Sequence, residues 1–491
     1  MILVNILIKV KNDKDVVTMK MKVLAVISLF SCITHVYAED HIPSVEIPKD
    51  LGGPRFLAWN NDYSYLSKSE NRQGTWNERL NYIPLGNDAE NYITVGGEAR
   101  WMYEYLNHAT ANLTPQDRNE SVAQRLRLFG DLHLQQNFRM FLELGDNWAF
   151  DAEVPTPANY DAFDIQQFFV DYRLPITENL QLTLRPGRFV MPLGSKILVS
   201  TRDGSNVQYN YDGLATWFNY RDQIKIDVFD VKPVKFQRGS FDDKTDQSRE
   251  LKGIYFNGKI LEQPANQAKL DLYYFDMHHD QRIFTDGADV QNRKSIGARV
   301  FGQKENIDYD FEYIRQFGDY GDKNIRAYAA FSQVGYHFKQ KLNPHLSLQS
   351  MLFSGDNDLQ DQRLKTFESP FPRTALFSGA AEFGLMNAIF IKPTFALDLM
   401  PNMNLKTSYG VLKKHKNNDA IYHAPSGIAW NEHDQSKSKD IAGITEVELD
   451  YQYNRNLNFN LLFSNVDAAQ ALKETGGKTN NYLSVTTQFK F

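Results

Sequence analysis

Arginine is the residue type with which this sequence could do chemistry. A guanidinium is planar, permanently charged and able to grip a carboxylate through two parallel hydrogen bonds. Arg100, Arg125, Arg127, Arg139, Arg173, Arg185 and Arg299 fall within stretches of alternating hydropathy, on the polar side of the alternation, and Arg188 and Arg202 belong to a long connection at 189–212, the first at its edge and the second within it. Lys225, Lys392 and Lys406 share the same register. Most of the arginines fall in the first five of these stretches, so they would form a basic arc on one wall able to pass anions through water. Acids occupy the same side, among them Glu98, Glu143, Asp171, Asp227, Asp271, Asp310, Glu312 and Glu446. Pairing between the two signs across the wall is the competing reading, and for any single arginine both fit.

Other constellations are weaker. Asp276, His278, His279 and Asp280 are metal-ligand types in a predicted outer loop, but no second cluster at a defined spacing accompanies them. Gly355-Asp356-Asn357-Asp358 with Asp361 has part of a calcium loop and lacks the later Gly and Glu. Lys413, Lys414, His415 and Lys416 could meet lipopolysaccharide phosphates or simply be solvated. His133 is a candidate base for an outer-membrane hydrolase, yet no G-x-S-x-G, phosphate-cradling glycine loop or Ser/His/Asp spacing stands beside it. The expectation is no enzyme, no cofactor and no metal. A net charge of −6 is too small to imply nucleic acid.

Side chains placed by alternation need strands. The chain has 491 residues, 42% of them hydrophobic, with 33 Phe and 25 Tyr, and contains no apolar run long enough for a membrane-spanning helix. From Tyr92 onward the alternation barely stops. Residues 123–136 set Leu126, Leu128, Leu132 and Leu134 against Arg125, Arg127, Asp131 and His133. Residues 481–491 set Leu483, Val485, Phe489 and Phe491 against Tyr482, Ser484, Gln488 and Lys490. One greasy and one wet face is the pattern of a transmembrane β-barrel strand. About eighteen such strands can be read, joined by links that alternate between short and long, as periplasmic turns alternate with outer loops. The predicted fold is thus all-β: a transmembrane antiparallel barrel over 92–491. Trp101, Tyr103, Tyr172, Trp217, Tyr220, Tyr451 and Tyr453 lie near strand ends and suit interfacial girdles.

The N-terminus reads as an export signal. Lys20 and Lys22 precede the apolar run 23–30, and Val36-Tyr37-Ala38 offers a cleavage pattern, so 1–38 is a signal peptide whose true start is Met19 or Met21. The single cysteine, Cys32, lies within it. Residues 39–91 carry Pro43, Pro48, Pro54, Gly52 and Gly53 without periodicity, an irregular periplasmic segment expected to fold against or into the barrel mouth.

Three stretches resemble one family. They are Asn61-Asp62-Tyr63-Ser64-Tyr65-Leu66 with Leu80 to Leu85 and Val95-Gly96-Gly97-Glu98-Ala99-Arg100; Leu184-Arg185-Pro186-Gly187-Arg188 with the run from Val199 through Arg202-Asp203-Gly204-Ser205-Asn206 to Gly213; and Gly355-Asp356 with Thr366-Phe367 and Pro370-Phe371-Pro372. In order and spacing these are similar to the alginate-export porins of Gram-negative outer membranes, departing at Pro186. The resemblance implies a monomeric eighteen-stranded barrel, set in outer-membrane lipid and lipopolysaccharide. A C-terminal Phe491 resembles the signal read by the outer-membrane assembly machinery. The resemblance also implies, for some members, export of the anionic polysaccharide alginate through an arginine-rich pore. A general or substrate-specific uptake porin is the alternative on the same fold.

Overall fold

The computed structural model describes residues 55, 57–108, 118–153, 156, 158–284, 287–358, 360–424, 427, 429 and 436–491. The signal read at 1–38, with Cys32, lies outside the described residues.

Eighteen long strands, counted among the described residues, form one closed antiparallel barrel. In chain order they are β1 Tyr92–Asn107, β2 Arg118–Leu134, β3 Phe138–Phe150, β4 Asp161–Thr177, β5 Leu180–Phe189, β6 Tyr211–Tyr220, β7 Ile224–Lys235, β8 Arg249–Gln263 and β9 Asn266–Phe284. There follow β10 Gly287–Lys304, β11 Ile307–Tyr320, β12 Lys323–His337, β13 His345–Phe353, β14 Ala388–Met400, β15 Met403–Lys414, β16 Asp440–Gln452, β17 Leu457–Ala468 and β18 Asn480–Lys490. Each pairs with the next, and β18 returns to β1 in a register running from Glu98↔Lys490 to Leu106↔Tyr482. No edge strand is left, which is what a lipid-embedded sheet requires.

The alternation decides which way each strand faces. On β2, Leu126 and Leu128 are 36% and 51% exposed while Arg125 and Arg127 between them are 1% and 9% exposed. The apolar face lies outside and the charged face lines the lumen, inverting the soluble-protein rule. Tight links close one end of the barrel. Arg221 and Asp222 both take positive φ in the three-residue link 221–223 between β6 and β7, which Gln223 N–H closes on the Tyr220 carbonyl at 3.0 Å. The other end carries the long connections, and three of them fold into the lumen. Residues 190–210 and 354–387 meet there: Ser200 N–H donates to the Phe371 carbonyl at 2.8 Å and Phe371 N–H to the Leu198 carbonyl at 3.1 Å. A third, through its residues 415–424, joins by Gly384 N–H to the Tyr422 carbonyl at 2.7 Å. The apolar core is therefore inside the barrel, where Phe353 touches Phe367 and Phe377 at 5.4 and 5.8 Å and Phe377 touches Phe390 at 5.1 Å.

Two sequence expectations need correction. Trp217 was expected in an outer girdle but faces the lumen, because Leu214, Phe218 and Tyr220 on the opposite parity are the exposed set. Tyr172, Tyr220 and Tyr453 do lie exposed on the barrel surface. The stretch Asp276 to Asp280 was read as leaving a strand for a loop, whereas β9 runs on to Phe284. His278 there bonds Asn292 across the β9–β10 ladder at 2.7 Å and Asp280 at 2.9 Å.

The seam depends on a glycine. Gly97 exchanges both backbone hydrogen bonds with Phe491, at 3.2 and 3.1 Å. A Cβ at Gly97 would lie 2.6 Å from the Arg127 carbonyl and 2.8 Å from the Phe491 ring. Gly97→Val is expected to lose about 1–3 kcal/mol by overpacking, read as a lower urea midpoint for unfolding from lipid vesicles. Gly130→Val, at a position with open space, should leave that midpoint unchanged.

Candidate functional site: an arginine wall and a vestibule

The β1–β2 register sets Arg100 directly opposite Arg125, and Glu98 opposite Arg127. Two facing guanidiniums repel unless acceptors surround them, and the inward connection 190–210 brings those acceptors. Arg100 donates to the carbonyls of Asp203 and Ser205 at 2.7 and 2.9 Å and to Asn206 Oδ1 at 3.1 Å. Arg125 pairs with Glu98 at 2.6 Å and with Asp203 at 3.2 Å. Arg127 holds Gln208 Oε1 at 2.7 Å and Glu143 at 3.3 Å. These three arginines thus clamp a loop against the wall. Arg202, inside that loop with φ of 55°, donates to the Val207 carbonyl at 3.0 Å and stacks over Tyr209. Arg188 pairs with Asp212 at 2.8 Å and caps the Ile165 carbonyl.

Toward the short-turn end the wall opens on a vestibule of about 810 Å³. Arg139 pairs with Asp131 there and donates to the Trp59 carbonyl at 2.6 Å, which places Trp59, from the segment before β1, in the lumen. Arg185 is held by both oxygens of Asp171 at 2.6 Å and lies against the rings of Phe169, Trp59 and Trp217 at 3.8, 4.3 and 4.9 Å. Arg173 lines the same space and its side chain makes no hydrogen bond or ion pair among the described residues. Lys225 pairs with Asp227 at 2.6 Å. His133, the candidate base, stacks on Tyr92 at 4.4 Å and lies 3.1 Å from Asp131.

Arg299 sits on the far wall, apart from the others, paired with Asp310 at 2.7 Å and Asp271 at 3.3 Å. That wall holds a second clamp that sequence reading missed. Arg282 and Arg293 both meet Glu368 of the connection 354–387, at 2.6 and 3.4 Å, and Arg293 donates to the Thr366 carbonyl at 3.2 Å. Arg293 shares the parity of Arg299, and that signal would have found it. In the partial calcium loop the Lys365 ammonium bridges Asp356 and Asp361 at 3.3 and 2.6 Å. In the basic run, Lys414 is buried and Lys413 pairs with Asp440 at 2.9 Å, so a merely solvated cluster is not what forms.

Removing a partner from a buried pair leaves a charge without compensation. Arg185→Ala, which strands Asp171, should destabilise the barrel by about 3–5 kcal/mol in chemical unfolding. A second effect is pH-dependent. Burial pushes the Glu382 carboxyl, in the connection 354–387, up to about 8, against a hydrogen bond from Asn480 that favours ionisation. A carboxyl raised in the folded state costs stability as pH climbs from its unfolded value to about 8. Between pH 6.5 and 8 the loss is about 2 kcal/mol at 1.36 kcal/mol per unit. Glu382→Gln should abolish that slope in unfolding curves taken at the two pH values.

A family model described as alginate export matches residues 91–486. No curated protein matches the chain. Among solved structures it is similar to OccK11 (OpdR) of Pseudomonas aeruginosa, with a TM-score of 0.52 and 11% identity over 83% of this chain and 98% of that one. It is also similar to OccD3 (OpdP) of the same organism, at 0.54 and 12% over 84% and 92%. OccAB2 of Acinetobacter baumannii gives 0.55 and 14% over 81% and 98%. At such identities the likeness is one of fold, and these neighbours are outer-membrane porins. With its model matched over residues 91–486, the chain belongs to the alginate export family, and its closed eighteen-strand architecture is that of an outer-membrane channel.

Proposed function

We propose that the protein passes hydrophilic anionic solutes across the outer membrane, export of an alginate-like anionic polysaccharide being the most specific form of that role. The vestibule is the observation that carries the reading. Trp59 and Trp217 line it beside Arg139, Arg173, Arg185 and Lys225. Sugar rings pack on indole faces, and guanidinium forks take carboxylates. Asp62, Glu90, Asp171 and Asp227 line the same space, so a solute carboxylate exchanges with resident ones and is never held tightly. A conducting site needs that balance between entry and release. Arg173, without a resident partner, is the first position we assign to solute.

The equal number of acids and bases in that lining also favours a second reading, an uptake porin for small polar solutes. In either case we propose a monomer embedded in lipid and lipopolysaccharide. Phe491 is tied to Gly97 in the closed barrel, so the assembly machinery would read it before closure.

Reconstituted channels in a salt gradient should show an anion-selective reversal potential and block by oligouronates, with neutral oligosaccharides of equal length inert. Arg173→Glu should weaken the block at least tenfold, the worth of one charge-assisted contact of about 1.5 kcal/mol. Cation selectivity with no uronate block would remove the anionic reading and leave the general porin.

A further inference from the structure

The long-connection ends of β3 and β4 hold a cluster that the solute pathway leaves unused. Register shifts between Glu143 and Leu144 and between Gly145 and Asn147 break the β3–β4 ladder. Bulges of this kind re-aim side chains, and here they bury Asp161, Asp164 and Gln166 together although their spacing does not follow the alternation. Gly145 makes the room: a Cβ there would lie 2.5 Å from Gln166 Cγ. Asp243 arrives from the connection 236–248. Asp161, Asp164 and Asp243 each place a carboxylate oxygen within 4.8 Å of the other two.

No cation among the described residues pairs with this group. None of the three forms an ion pair among the described residues, and Arg188, whose charge reaches Asp164 and Asp243, is committed to Asp212 at 2.8 Å. Backbone N–H groups of Asp242 and Asp243 reach Asp164 and that of Gln237 reaches Asp243, yet other acceptors at the cluster stay without a donor among the described residues. Asp161 Oδ1, Asn147 Oδ1, Gln166 Oε1 and Asn210 Oδ1 have no hydrogen-bond partner, and their residues are 0, 0, 1 and 2% exposed. Asp161 Oδ2 takes the amide N–H groups of Asn147 and Gln166 at 3.3 and 2.5 Å, holding both amides at the cluster.

We propose that Asp161, Asp164 and Asp243, with the amide oxygens beside them, form a calcium site. The donors are all oxygen, which excludes a preference for zinc or copper, and their number and irregular arrangement suit Ca²⁺ better than octahedral Mg²⁺. Such an ion staples three parts of one barrel end: the β3–β4 rim, the connection 236–248 through Asp243, and the inward loop 190–210 through Asn210, whose amide donates to the Gln166 carbonyl at 2.5 Å.

The full chain, purified in detergent and stripped with EDTA, is titrated with Tb³⁺ and then with Ca²⁺ alone. Trp148 and Tyr160, whose rings meet at 5.3 Å, adjoin the cluster in sequence and can sensitise terbium emission. Saturable emission displaced by Ca²⁺ at roughly 0.1–1 mM, in the range of extracellular sites, is expected, together with an unfolding temperature that rises with Ca²⁺ more than with Mg²⁺. The double variant Asp161→Asn, Asp243→Asn should bind at least tenfold more weakly. In EDTA it should unfold at a higher temperature than the parent, since the repulsion is gone, which also shows that it folds. Absence of saturable Ca²⁺ binding in the parent, or equal binding in the double variant, as residual lipopolysaccharide would give, overturns the site.

Discussion

A backbone N–H or C=O left unpaired in hydrocarbon costs several kcal/mol, and the closure of β18 on β1 answers that constraint for the whole chain. Everything else follows from how the ring closes. Once no edge remains, every strand has one face toward lipid and one toward the lumen, so the period-2 pattern becomes a sorting rule for charge. Leu126 and Leu128 go out, Arg125 and Arg127 go in. The small Gly97 at the seam is needed because the last residue, Phe491, must pair with backbone that the Arg127 carbonyl and its own ring already crowd.

Sorting charge inward creates a second problem, which the long connections solve. Buried guanidiniums need acceptors, and a strand wall supplies only its own acids. The loop 190–210 contributes the carbonyls of Asp203 and Ser205 to Arg100, and the loop 354–387 contributes Glu368 and the Thr366 carbonyl to Arg282 and Arg293. Each loop is pinned by charge at the wall and by aromatic packing at the centre, where the two meet as backbone partners. The arginines near those loops are thus structural first. Those of the vestibule, Arg139, Arg173 and Arg185, are the ones beside open space.

The barrel was legible in the sequence because alternation survives wherever a strand is regular. All eighteen predicted strands are present, and seven of the nine singled-out arginines lie on strand faces that the alternation turned inward, with Arg188 and Arg202 at the loop between β5 and β6. What was illegible falls where that rule fails or is silent. Trp217 was read from its nearness to a strand end when its parity already put it inside. Arg282 lies in a part of β9 read as loop. The bulges of β3 and β4 bring Asp161, Asp164 and Gln166 together at uneven spacing, which no periodic reading finds. The inward loops have no period at all, so which carbonyls meet which arginine depends on the folded chain alone.

Because loop 190–210 lies in the lumen, gripped by Arg100, Arg125 and Arg127, we propose that it sets the width of the pathway. Single-channel conductance of a variant in which residues 195–206 are replaced by a short glycine-serine link measures it directly. A barrel destabilised by the acceptors that Arg100 and Arg125 lose, yet still folded in lipid and conducting several-fold more current than the parent with weaker ion selectivity, is the expected result. An unchanged conductance in a folded variant would contradict it, placing the constriction elsewhere and leaving the arginine clamp a feature of stability alone.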